Sequence, residues 1–219
     1  MKAASEAQRR MILVGAIIGC GIVTAAPPAF AANFSARETS RGLHVDRAGG
    51  AMGKLSSNGW FRRPGEPMFV YREGGKTVAG VWVGSSDAAV VRSGTTESAP
   101  LIGRVVPSWK DDKLWLTIEP AGGAAVQTTV FERASGGGAL DRHTSTWEAL
   151  QGSYRATLQA GGKDAGWLSV DVSAEGGARF SGDLPASIPP ALAAAAAAAI
   201  EDEVNYIYGN LSDVNPLMR

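Results

Sequence analysis

The sequence predicts a mainly β protein, an antiparallel barrel or sandwich of about nine strands with one C-terminal α-helix. Three observations carry that reading. Leu114, Leu116 and Ile118 alternate with Trp115 and Thr117, and the same period recurs at Tyr154, Ala156 and Leu158 and at Leu168, Val170 and Val172. Side chains two apart share one face of a strand, so each segment has an apolar face and a polar one, as in an antiparallel sheet with one side in a core. Turn-forming clusters separate such segments: Glu73-Gly74-Gly75, Asp111-Asp112-Lys113, Gly122-Gly123, Gly161-Gly162-Lys163 and Glu175-Gly176-Gly177. From Ser187 onward the chain changes character, to an alanine-rich run behind two prolines.

Taken in chain order, residues 1–31 read as an export signal. Lys2, Arg9 and Arg10 form a positive head, Met11 to Ala26 is almost wholly apolar, and Ala29-Phe30-Ala31 is a small-x-small exit that predicts cleavage before Ala32. Ile17-Ile18-Gly19-Cys20 supplies the alternative, a lipid anchor at Cys20. Residues 32–58 are polar and Gly/Ser-rich, with strand material only at Leu43-His44-Val45, and read as a flexible N-terminal arm or an edge strand. Residues 59–186 hold the strands of the barrel or sandwich. Within them Glu73–Gly80 and Glu175–Gly182 align without a gap, each a strand, a Gly-Gly turn and a strand carrying a later glycine. That is two hairpins using one common solution, or else a duplicated half, whose boundary would fall in 134–145. Residues 187–219 form the helix and tail. Ser187 caps, Pro189 and Pro190 suit a first turn, and the helix is expected over 191–208, ending at Gly209. Leu192, Ile200, Val204 and Ile207 give it a sparse apolar stripe to lay on the sheet, with Glu201, Asp202 and Glu203 on the solvated side.

Composition narrows the function. The 219 residues are 45% hydrophobic and 19% charged, which excludes a disordered chain. Equal numbers of basic and acidic residues, 21 each, leave no electrostatic footprint for nucleic acid. Cys20 is the single cysteine, so no internal disulfide framework or cysteine-cluster metal site is expected, and no metal or other cofactor is implied. After processing, no membrane-spanning segment is expected.

Catalytic constellations are sparse. His44 lies near Asp46 and His143 near Asp141, both in loose polar segments, and there is no G-x-S-x-G turn, so both histidines read as solvated. Asp111, Asp112, Glu119, Asp171 and Glu175 are the carboxylates from which a glycosidase-like pair could be drawn. Six tryptophans stand out instead: Trp60, Trp82, Trp109, Trp115, Trp147 and Trp167. Such rings fill a β core or form a platform for a ligand. Trp115 shares the polar face of its strand with Thr117, and Trp109 lies at a strand end where binding loops gather. Trp109, Trp115, Trp60 and Trp82 are therefore the candidate ligand-binding residues.

Gly59-Trp60-Phe61, Phe69-Val70, Gly74-Gly75 and Gly80-Val81-Trp82 resemble the opening hairpin of lipocalin- and avidin-like barrels. The resemblance implies a barrel. It implies no ligand, because Arg62 and Glu66 stand where an avidin would contact biotin. The expectation is an exported, non-enzymatic binding module, periplasmic, secreted or lipid-anchored, whose partner is a small ligand, a glycan or an envelope protein. The alternatives are a secreted carboxylate-dependent hydrolase and an inhibitor or immunity protein acting by surface complementarity.

Overall fold

Strands form wherever the period of two is punctuated by tight turns. In the computed structural model, which describes residues 33–39, 42–47, 53–58, 63–84, 88–174 and 177–214, they run as β1 (Phe34–Thr39), β2 (Gly42–Arg47), β3 (Gly53–Ser57), β4 (Phe69–Glu73), β5 (Lys76–Val83), β6 (Ala89–Arg92) and β7 (Leu101–Lys110). There follow β8 (Lys113–Pro120), β9 (Val126–Thr128), β10 (Glu132–Arg133), a short helix α1 (Trp147–Leu150), β11 (Gly152–Ala160), β12 (Lys163–Val172), β13 (Ala178–Asp183) and the helix α2 (Pro190–Val214). The expected signal segment and Trp60 lie outside the described residues.

Apart from β9 and β10, each strand pairs antiparallel with the next in sequence, and Phe34 of β1 meets Gly182 of β13, so the meander closes on itself. At the other seam β9 and β10 share one edge of β11. Leu158 faces Thr128, and Arg155 then faces Glu132, so the register advances by one residue between them. The two pieces are one strand interrupted by a bulge. The result is a closed antiparallel barrel of twelve strands rather than about nine. An even number is what a ring of purely antiparallel neighbours requires, and it exceeds the eight strands of lipocalin-like barrels.

Two-residue turns set the register of three hairpins. Gly74-Gly75, Asp111-Asp112 and Gly161-Gly162 all have positive φ at both positions, the twist that matches flanking strands. The alternation expected for β8, β11 and β12 is present, with Leu114, Leu116, Ile118, Tyr154, Ala156, Leu158, Leu168, Val170 and Val172 all buried. Outward positions carry Arg37, Arg104, Arg155, Asp171 and Arg179, all exposed, opposite to the apolar outer band of a membrane barrel. Among the described residues no helix is long and apolar enough to cross a membrane.

Two expectations are corrected here. The segment read as a flexible arm supplies β1 to β3, a quarter of the ring. Its strands each bury only two positions (Phe34 and Ala36, Leu43 and Val45, Gly53 and Leu55), too few for a period to stand out against Ser and Arg. Residues 134–145 do not divide the body either: Leu140 is fully buried in the core shared with β1, β8 and β12.

The helix is the larger surprise. Twelve strands about 4.8 Å apart and tilted about 40° make a ring of roughly 12 Å radius. Inward side chains leave an axial space about 12 Å across, the width of an α-helix. Helix α2 occupies it. Ala191 to Ala197, nearly two turns, are buried without a break, so every face of the helix is covered. It packs on β1, β2, β3, β5, β6, β7 and β8 rather than lying on the outside of the sheet. At its entry Arg47 Nη1 donates to the Ile188 carbonyl at 3.1 Å. Gly103 clears the way for Leu192, whose Cδ2 would lie 2.8 Å from any Cβ there. Beyond Ala197 the pattern becomes a stripe, with Ile200, Val204 and Ile207 buried while Asp202, Asn205, Tyr206 and Tyr208 are exposed. The helix has reached the opposite mouth. It continues past Gly209 to Val214, since glycine weakens a helix by only about 1 kcal/mol and ends it only when φ turns positive.

Candidate functional site

The emerging helix does not fill its mouth. Ala195, Ala198, Ala199 and Asp202 follow the i, i+3, i+4, i+7 spacing of one helix face, and three methyl groups leave space between that face and the barrel wall. The space is a cavity of about 530 Å³. Its apolar wall is Leu43 of β2, Leu55 of β3, Phe69 of β4 and Val81 of β5, opposite Ala195 and Ala198. Each is placed there by strand alternation, being the inward member of its pair. Over the seven steps from Ala195 to Asp202 the helix climbs about 10 Å, which sets the depth.

The rim is acidic. Glu38 at the end of β1 and Glu201, Asp202 and Glu203 on α2 all border the cavity. No Lys, Arg or His borders it among the described residues. Burial pushes the Glu201 carboxyl up to about 7, helped by the nearby Glu38, which is hydrogen-bonded to it, and by Asp202. Each cause disfavours the charged form, so near neutral pH Glu201 is divided between acid and carboxylate. Glu203 is held differently: its Oε2 accepts a hydrogen bond from Trp109 Nε1 at 2.8 Å. The Arg142 guanidinium lies 6.0 Å from the Trp109 ring centre and 5.6 Å from that of Tyr206. Trp109 thus stands behind the rim, tying the end of β7 to the helix.

The other tryptophans singled out in the sequence are not gathered with it. Trp115 is on the outer face of β8 with the Lys110 ammonium 5.0 Å from its ring centre. Trp82 is on the outer face of β5, donating to the Gly65 carbonyl at 3.1 Å and edging a shallow hollow with Arg63 and Met68. Trp60 lies outside the described residues. Trp167, on β12, is stacked by Arg155 at 4.2 Å.

The carboxylates proposed for glycoside chemistry are also dispersed. Asp111 and Asp112 form the β7–β8 turn, Glu119 is exposed near the far end of β8, and Asp171 is on the outer wall bonded to Ser153. Glu175 lies outside the described residues. His143 Nε2 is 3.2 Å from Asp112 Oδ1, both exposed, and His44 points outward between buried Leu43 and Val45. No group of three or more His, Cys, Asp or Glu side chains with metal-binding proximity occurs among the described residues.

Glu38 and Glu201 are the rim residues that sequence reasoning passed over, the first because it fell in the supposed arm, the second because three consecutive acids suggest a solvated face. The helical spacing from Ala195 to Asp202 was the available signal: the acidic cluster continues the alanine stripe. No family model, curated protein or solved structure matches the chain.

Proposed function

We propose that this protein is an exported, non-catalytic barrel that binds a small ligand in the cavity at one mouth. The export reading rests on the charged head, apolar stretch and small-x-small exit of residues 1–31, and favours the periplasm or the exterior, with lipidation at Cys20 as the alternative anchor. The observation that carries the binding reading is the cavity itself. Its volume falls within the range of small-molecule pockets, and it has an apolar wall with a few polar groups collected on one side.

A glycan platform is less favoured, because Trp82, Trp109 and Trp115 are each engaged by groups of their own chain. A glycosidase is less favoured too. The carboxyl pair that does come together, Glu38 and Glu201, is hydrogen-bonded, whereas cleavage of a glycosidic bond needs carboxyl groups about 5 Å or more apart. Titration with decanol, read by displacement of the neutral dye Nile red, tests the binding reading. Saturable one-to-one binding is expected. Ala198→Leu, which fills the cavity from a half-buried position, is expected to weaken it at least tenfold with little change in melting temperature. Binding that is absent, or indifferent to that substitution, overturns the reading.

A further inference from the structure

We infer that the ligand of the mouth cavity is a single-chain amphiphile with an organic cation as its head group, the hydrocarbon lying against Leu55, Phe69 and Ala198 and the cation meeting Glu38, Glu201 and Asp202. The inference rests on the binding reading above and adds the chemistry of the occupant. Depth and volume fix the tail. A pocket about 10 Å deep along the helix and about 530 Å³ in volume accepts one short chain and excludes a two-chain lipid.

Charge fixes the head. The ionisable groups facing the cavity are Glu38 from β1 and Glu201, Asp202 and Glu203 from α2. The lining contributed by β2 to β7 is apolar, glycine or serine, Leu43, Ser56, Phe69, Val81, Ala89 and Pro107 among it, and brings no charge. An anionic head would meet the clustered carboxyl groups of Glu38, Glu201 and Asp202, with the Arg72 cation held behind the lining by its bond to Ser56, and a neutral head would do nothing to offset that cluster. A cation relieves that repulsion at no cost in rearrangement. A metal ion is a poorer match, because the rim groups do not converge with ligand geometry among the described residues and half of the space is hydrocarbon.

Proton linkage follows in sign. Glu201 holds its proton up to about pH 7. A cation favours its ionised form, so uptake of the cation releases a proton, and affinity rises with pH across that value. A neutral amphiphile of the same length has no such dependence.

The test is calorimetric titration of the full processed chain with three probes of equal tail length, decyltrimethylammonium, decanol and decanoate, below their micellar concentrations. Decyltrimethylammonium is expected to bind at least tenfold more tightly than decanol at pH 8 and decanoate most weakly, with the cation's advantage shrinking by pH 5.5. Glu201→Gln and Asp202→Asn are each expected to reduce that advantage while decanol binding persists. Glu119→Gln, on the outer wall, is expected to leave it intact. Equal affinity for decyltrimethylammonium and decanol overturns the head-group inference and leaves the binding reading standing. Failure of all three probes to bind overturns both.

Discussion

Apart from the tyrosines Tyr71 and Tyr154, Thr128 is the one buried side chain with a polar group among the described residues, and its position explains why it is not a valine. It lies on β9, at the seam where the ring is completed, and its Oγ1 accepts a hydrogen bond from the Leu116 amide of β8 at 2.8 Å. The β8–β9 ladder has only two residue pairs, so this side-chain bond satisfies a backbone donor that the ladder leaves open. Thr128→Val keeps the shape and removes the acceptor. The expected loss is about 1–3 kcal/mol of stability, since a buried amide is left without a partner, while Thr128→Ser is expected to retain most of the bond; urea unfolding of the three proteins checks it. Sequence reading could not reach this. Thr128 looks like any strand threonine until the bulge between β9 and β10 is known, and a bulge is decided by what the partner strand offers rather than by the bulged residues alone.

Among elements, legibility followed the number of inward positions. Strands β8, β11 and β12 each bury at least three apolar residues in strict alternation and were plain in the sequence. Strands β1 to β3 bury two positions each, and β5 interrupts its alternation by burying Ala79, Gly80 and Val81 in succession beside a register shift in its pairing with β4. Helix α2 was legible as a helix from its alanines but not as a filled axis, because intrinsic helicity says nothing about surroundings. What distinguishes an enclosed helix is the lack of any polar residue over two turns, and from Ala191 to Ala197 there is none. The small side chain is then a requirement of the ring's width. Ala194→Leu, at a fully buried position, is expected to cost roughly 3 kcal/mol by overpacking. The same change at Ala198, which borders the cavity, is expected to be nearly neutral. Thermal melts of the two variants give the comparison, and equal losses would place the helix against one wall rather than on the axis.

For the whole molecule, the order of events in the chain is at odds with the order of dependence in the structure. The ring cannot close until β13 meets β1, joining Phe34 to Gly182, and its interior is filled only by the segment that follows, Pro190–Val214. Pairings so distant in sequence are slow to form. A barrel closed without its helix would enclose a void lined by Leu43, Leu55, Val81, Val105 and Leu116, all members of the shared core. A gap that wide forfeits dispersion contacts along its whole length, and apolar lining of that extent is not stable as an empty or wetted cavity. The helix is therefore the core of this protein, in the sense that a buried sheet is the core of others. A chain ending at Pro189 is expected to show no cooperative thermal transition by circular dichroism and to bind an apolar dye strongly. A synthetic peptide of residues 187–214, added in trans, is expected to restore the transition in proportion to its concentration. A shortened chain that melts cooperatively by itself would mean that the twelve strands collapse into a narrower packing, and that the helix serves to hold the mouth open rather than to hold the ring together.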